Sequence, residues 1–244
     1  MFDRLVADAL EAPFQGWDFS SLKGRMTEGP LPWNYCARVR ERMAGIRSML
    51  DMGTGGGEIL ASLAPLPAHT SATEAHAPNV SVARDRLAPL AVEVIDTTAD
   101  PHGQHLPFPD AQFELVINRH EEYIATEVWR ILRPGGRFVT QQCAGYRSDL
   151  SGWLLGTGIA DITDWRLEEV GFRVVDRQEA ILERVFFDVG AVVYYLKAVP
   201  WSVTPAFTVE SYHDRLLAIH QHIQRHGRFT TTDTRSLLEA VKTG

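Results

Sequence analysis

Cysteine is scarce in this chain: Cys36 and Cys143 are the only two among 244 residues. They lie far apart and make neither a Cys-x-x-Cys pair nor a Cys/His finger spacing, so neither a disulfide framework nor a zinc knuckle is indicated. That usage fits a reducing cytoplasm. Positive charge is in deficit as well, with 24 Lys and Arg against 31 Asp and Glu and a formal net charge of -7, which argues against a nucleic-acid surface spread over the molecule. No local basic run compensates. No apolar stretch approaches the length of a membrane span. The start, MFDRLVADALEAPF, carries early acids and lacks both a basic opening and an uninterrupted apolar segment, so no secretory leader is expected. Internal repeats and low-complexity stretches are missing too. What remains is 45% hydrophobic and 23% charged residues, the usage of one large α/β domain. The expectation is a soluble, cytoplasmic protein that meets a small molecule, as a monomer or a homodimer.

Glycine, in contrast, is concentrated. LDMGTGGGEIL, Leu50 to Leu60, is an apolar strand that ends in Asp51 and breaks into Gly53, Gly55, Gly56 and Gly57 around Thr54 before a helix. The spacing is G-x-G-x-G, and Glu58 stands where a dinucleotide fingerprint wants a small residue. A carboxylate in the first helical turn suits the helix dipole but repels a pyrophosphate at that spot. The cradle therefore suits a ligand without phosphates there, such as S-adenosylmethionine with its ammonium and sulfonium charges.

Short β-like runs alternate with helical ones, the pattern of a parallel sheet flanked by helices. Strands are expected at about 48–52, 70–74, 92–95, 113–118, 137–142, from 172 to 177, and at 236–241. Helices are expected from Glu58, over Pro78 to Leu87, Glu121 to Leu132 and about 161–170, with RPGG at Arg133 to Gly136 stopping the third. Within one domain, residues 1–46 read as an N-terminal helical cap, 47–187 as the core, 188–226 as a helical lid insertion and 227–244 as the closing strand. Asp188 can cap GAVVYYLKAV, and Thr208 can cap SYHDRLLAIHQHIQ. Both outlying segments would either roof the site or cover exposed sheet edges.

The ordered set LDMGTGGG, Glu74, LPFPDAQFELVINRH at Leu106 to His120 and ILRPGGRF at Ile131 to Phe138 resembles the class I S-adenosylmethionine-dependent methyltransferases, specifically small ones with LPFPD-x-x-F-[DE]-L-V and L-R-P-G-G. The resemblance covers roughly residues 48 to 142. It implies a Rossmann-like, doubly wound, seven-stranded, mostly parallel sheet of order 3-2-1-4-5-7-6. It also implies methyl transfer from S-adenosylmethionine, with S-adenosylhomocysteine as product. Carried over, Asp51 and the loop of Gly53, Thr54, Gly55 and Gly57 meet the methionine end. Glu74, with Ala75 beside it, takes the ribose hydroxyls, its alternative being a solvated strand-end charge. Thr98 and Ala99 flank the adenine, displaced by a few residues in the long element DTTADPHGQH. Asn118 and Arg119 lie beside the sulfonium. The absence of N-P-P-[YF], D-P-P-Y or Pro-Cys after the fourth strand counts against amino-group methylation of adenine, cytosine or glutamine and against cytosine C5 chemistry.

His120 is the best-placed general base should the acceptor need to lose a proton, with Glu121 or Glu122 positioned to orient it; equally, it could cap the next helix. Trp33, Tyr35, Tyr146, Tyr194 and Tyr195 are candidate acceptor contacts, and Trp201 and Phe207 belong to the same aromatic set. Among His213, His220, His222 and His226 only the last two share i, i+4 spacing, without an acidic partner, and His102 and His105 lack one too, so no metal site is expected. The acceptor expected is small or medium-sized and natural-product-like. The rivals are an RNA methyltransferase, a methyltransferase fold running other chemistry such as cyclisation, and a non-catalytic binding module.

Overall fold

In the computed structural model, which describes residues 1–14, 17–143, 149–155, 167–199 and 207–244, a single sheet organises the chain. Its strands are β1 (Met26–Glu28), β2 (Ser48–Met52), β3 (His69–Glu74), β4 (Glu93–Asp96), β5 (Phe113–Arg119), β6 (Leu132–Cys143), β7 (Phe172–Phe186) and β8 (Phe229–Lys242). The helices are α1 (Phe2–Glu11), α2 (Tyr35–Met43), α3 (Glu58–Ser62), α4 (Ala77–Leu87), α5 (Ala125–Ile131), α6 (Asp149–Leu155), α7 (Leu167–Val170), α8 (Val189–Ala198) and α9 (Val209–His226). No helix among the described residues is long and apolar enough to cross a membrane.

The strand order is β1-β7-β8-β6-β5-β2-β3-β4. Without β1 this is the expected 3-2-1-4-5-7-6 order, with β8 antiparallel to both its neighbours. SMLDM of β2 is buried at every position, because parallel strands are covered on both faces and read as continuous apolar runs. One face packs Val39, Met49, Leu60, Leu87, Ile117 and Val139 under α2, α3 and α4. The other packs Leu50, Val116, Val128, Ile131, Phe138 and Leu167 under α5 and α7. The RPGG segment is a bulge within β6: pairing steps from Phe113↔Leu132 to Leu115↔Arg137 across it.

Two features position the site in ways the sequence did not announce. First, β7 and β8 are far longer than the short strands expected. Their pairing continues from Ile181↔Thr234 to Phe186↔Phe229, past Arg235, the last β8 partner of β6. This antiparallel arm projects beyond the carboxyl end of the parallel strands. Second, the N-terminal segment, expected as helices alone, adds β1 to the arm's edge, pairing Met26 with Phe186.

The N-terminal and C-terminal outlying segments share one core. Val6, Leu22, Phe186, Val192, Leu196, Leu216, Ile219 and Phe229 pack together from α1, α8, α9 and the arm. Asp188 and Thr208 cap α8 and α9 as their side-chain chemistry predicts, accepting from the N–H of Ala191 at 2.8 Å and of Ser211 at 3.2 Å. Arg25 pairs with the same Asp188 at 2.6 Å and 2.8 Å, fastening β1's leader to α8. On the sheet side α2 is held by Glu239 of β8, which is buried and bonded to Arg38, Arg42 and Arg137.

Candidate active site

The glycine loop between β2 and α3 lies at the carboxyl edge of the sheet, where open α/β sheets bind ligands. Gly53 and Gly55 have φ of 66° and 64°, a region that costs L-residues about 1–2 kcal/mol. Space is the second reason for glycine. A Cβ on Gly53 would stand 2.5 Å from Cβ of Glu121, and one on Gly55 would stand 2.4 Å from a ring carbon of Trp17. The loop is pinned from below, Thr54 N–H donating to the Thr73 carbonyl at 2.9 Å. Glu58 forms an ion pair with Arg86 of α4, so the residue that repels a phosphate also ties α3 to its neighbour.

Glu74 ends β3 and is 4% exposed. Its two oxygens accept from Gly55 N–H at 2.6 Å and His76 N–H at 2.7 Å. These bonds fix the carboxylate at the lip of the loop with lone pairs to spare for ligand hydroxyls. Ala75 follows it along the cleft. The cleft beside it is lined by Met52, Gly53, Thr73, Ala75, Thr97, Gly103 and Leu106 and by the acids Asp100, Glu121 and Glu122. Thr98 and Ala99 are not among these lining residues; the backbone N–H of Thr98 turns back to Asp96 at 2.9 Å. Thr97 and Asp100, on either side of the expected pair, line the cleft instead.

Three carboxylates, Asp51, Glu74 and Glu121, gather at the glycine loop. Burial raises Asp51 to about 7, with Glu74 pushing it further up and the Thr54 hydroxyl and Arg119 pulling it back. Burial also raises Glu121 to about 7, helped by Glu74 and Glu122. Glu74 is raised by burial against the pull of its backbone donors. Each stands near another acid, and among the described residues none of the three forms an ion pair. Such a site favours a cationic ligand, because a positive charge would relieve both repulsion and desolvation. The ammonium and sulfonium of S-adenosylmethionine are cations of this kind, so the residues present fit that group.

Asn118 and Arg119 end β5. Asn118 is fully buried, its side-chain oxygen accepting from Thr140 and Gln142 and its backbone carbonyl from the Tyr35 hydroxyl at 3.2 Å. Its Nδ2 has no partner among the described residues. His120 follows with φ of 65°, an uncommon left-handed conformation for a residue other than glycine. The next helix starts at Ala125 rather than Glu121, so His120 does not begin it. The imidazole is oriented by the Gln141 amide at 3.3 Å and the Cys143 thiol at 3.6 Å, not by the acids that follow it. Glu121 instead folds over Gly53, and Glu122 pairs with His102 at 3.1 Å. His120 is held well below the usual histidine range by its enclosure and by Arg119, Arg235 and Arg184.

The aromatic candidates separate by position. Trp33 donates to Gln141 at 2.9 Å and so reaches the residue that orients His120. Tyr35 is buried against Asn118. Tyr194 is 1% exposed in the cap core, its hydroxyl donating to the Pro13 carbonyl at 2.9 Å. Tyr195 faces elsewhere, since successive helical residues point about 100° apart; its ring lies 4.3 Å from the Arg184 guanidinium carbon. Tyr146 and Trp201 lie outside the described residues, and Phe207 stacks on Tyr212 within the cap. His222 and His226 adjoin Trp153 and Phe229 on the cap's outer surface, remote from the cleft. Trp17, Arg184 and Arg235 are site neighbours that the sequence reading passed over.

Comparison with known proteins places this geometry. Residues 50–140 match the profile of a methyltransferase domain. A fatty-acid O-methyltransferase of Mycolicibacterium smegmatis is 28% identical over 147 residues, covering 54% of this chain and 52% of that one. A protein of Arabidopsis thaliana named a probable methyltransferase is 28% identical over 140 residues, covering 52% of this chain and 23% of its own length. The chain thus spans about half or less of these relatives. The crystal structure of a candidate methyltransferase from Bacillus halodurans is 19% identical, covers 86% of this chain and 99% of that one, and superposes with a TM-score of 0.61, a likeness of fold. Motif order and strand order agree with these matches: residues 50–140 are similar to a methyltransferase domain, and the fold is that of the Rossmann-like methyltransferases.

Proposed function

We propose that the protein transfers the methyl group of S-adenosylmethionine to O, N or C of a small or medium-sized, natural-product-like acceptor, with S-adenosylhomocysteine as product. The observation that carries this reading is the trio Asp51, Glu74 and Glu121, acids that form no ion pair among the described residues and gather at a glycine loop. The name of the mycobacterial relative, a fatty-acid O-methyltransferase, supports a small-molecule acceptor.

When bound, S-adenosylmethionine supplies an activated methyl group on a sulfonium whose positive charge is lost in the transfer, a reaction aided by a dry, well-oriented site. Glu74, fixed by the N–H groups of Gly55 and His76, binds the ribose hydroxyls. Asp51 faces the ammonium, directly or through water, and Glu121 lies over Gly53 on the same side. Thr97, Asp100 and Leu106 border the adenine end. Trp17 covers Gly55 and excludes water from the loop. His120, held neutral, accepts a hydrogen bond or a proton from the acceptor at the end of β5.

Calorimetric titration with S-adenosylhomocysteine tests the cofactor assignment. Binding should weaken at least tenfold in Glu74→Ala, since a hydrogen bond to a charged group contributes about 1.5–3 kcal/mol. No binding to the native protein, or equal binding to the variant, would overturn it. Mass analysis of acceptors incubated with methyl-labelled cofactor reads the transfer itself: label in the acceptor supports the reading, and a product rearranged without label contradicts it.

A further inference from the structure

The arm formed by β7 and β8 carries a polar cluster on the face that α2 covers. Side chains alternate across a strand, and the register pairs Cys143 with Arg235, Leu182 with Asp233 and Arg184 with Thr231. Asp233, Arg235 and Arg184 therefore share one face with Cys143 and Gln141, immediately beyond the strand end that carries His120. Arg184 is fully buried, with Nε on Glu28 at 2.8 Å and Nη2 on both Glu28 and Asp233. Its plane stacks on Tyr195. Its Nη1 is buried with no partner among the described residues, an unmet donor that an incoming acceptor atom would satisfy. Arg235 bonds Asp233 and the Thr234 carbonyl through Nη1, while its Nη2 stands 3.7 Å from Glu28.

We propose that the acceptor carries a carboxylate and that Arg184 and Arg235 hold it beside His120. Arg184 and Arg235 set two guanidinium groups against Glu28 and Asp233, and the buried Nη1 of Arg184 is a donor left for an anion beside His120. The guanidinium fork suits a carboxylate's two oxygens. Trp33 and Tyr195 flank the cluster with apolar rings that suit the rest of a small organic acid.

The inference rests on the methyltransferase reading for what is done to the acceptor, but not for how the acceptor is held. Its test is accordingly a binding experiment on the full chain, without cofactor and then with saturating S-adenosylhomocysteine, using octanoate and phenylacetate with their amides and octyl phosphate. At least one carboxylate should bind tenfold or more tighter than its amide and tighter than octyl phosphate. Arg235→Gln should weaken carboxylate binding at least tenfold, equal to about 1.4 kcal/mol, and leave amide binding unchanged. Arg184→Gln should act in the same direction; since Arg184 is fully buried, Arg235→Gln with an unchanged circular dichroism spectrum is the deciding variant. Glu74→Ala should lose the cofactor yet bind carboxylate as the native chain does, which separates failure of this proposal from failure of the methyltransferase reading. The proposal is overturned if neither carboxylate binds, if an amide or octyl phosphate binds as tightly, or if Arg235→Gln binds carboxylate normally.

Discussion

The glycine loop and the polar cluster of the arm differ in charge and in how the chain builds them. The loop's surroundings are acidic and nearly contiguous: Asp51, the glycines and Glu74 come from one βαβ unit, joined by Glu121. The arm's cluster mixes guanidinium groups with carboxylates and is assembled from Glu28, His120, Cys143, Arg184, Tyr195 and Arg235, which only the long β7–β8 arm and the N-terminal segment bring together. A contiguous loop is shaped by local backbone rules and stays legible wherever it occurs. A pocket gathered from six separated positions depends on strand length and register, and these follow from packing.

The largest expected effect sharpens that division. Gly53→Val places a branched side chain at φ of 66° and against Glu121, so cofactor affinity should fall more than about a hundredfold by calorimetry, on strain and overlap together. Carboxylate binding at the arm's cluster should persist; joint loss of both would show that loop and cluster are one unit. Next is Glu239→Ala, which leaves Arg38, Arg42 and Arg137 without their shared partner. Breaking a buried pair costs about 3–5 kcal/mol; because these arginines are part-exposed, a loss of about 2 kcal/mol is expected, read as a fall of several degrees in Tm. Cofactor affinity should change less than stability does, since Glu239 anchors α2 and does not touch the loop.

Proton linkage gives a third, smaller effect. Asp51 and Glu121 are acids raised in the folded protein to about 7, so between about pH 4 and pH 7 the folded state holds more protons than the unfolded one. Stability without cofactor should therefore fall as pH rises through that window and level off above 7, as denaturant midpoints at pH 5, 6, 7 and 8 would show. The smallest effect is at His120. Because it is held below the usual histidine range, it should remain neutral from pH 7 to 9, and kcat at saturating cofactor should carry no histidine inflection there. His120→Asn, which tolerates the left-handed backbone, should lower kcat by less than about tenfold if the acceptor arrives as an anion and needs no base. A larger loss, with a new pH dependence, would make His120 the base after all.

Much of the sheet was legible because β2 and β5 are largely apolar runs and glycine and proline turns punctuate the chain around the glycine loop and RPGG. The arm was not, for a physical reason. FTTTDTR, the first half of β8, is polar because it faces the polar pocket, and polar residues in a strand erase the alternation that marks one. The i, i+2 spacing of Asp233 and Arg235 was the available signal. The residue types of Glu121 to Ile124 permit the helix expected from Glu121; what prevents it is the left-handed turn at His120 and the placement of Glu121 over Gly53. Tyr194 and Tyr195 were read as a pair, whereas helical geometry allows only one of two successive residues to face the arm. Trp17 carried no motif at all, and only the folding of the N-terminal segment across the loop brings it to Gly55.

Carboxylates that form no ion pair among the described residues would make the glycine loop a cation-binding cofactor site. Titration of the native chain with S-adenosylmethionine between pH 6 and 8, in two buffers of different ionisation enthalpy, tests it most directly. Binding that weakens as pH falls below 7, by up to about tenfold per unit, and that releases protons on association is the predicted result. A dissociation constant that is flat across this range with no proton release, or no binding at all, would contradict it.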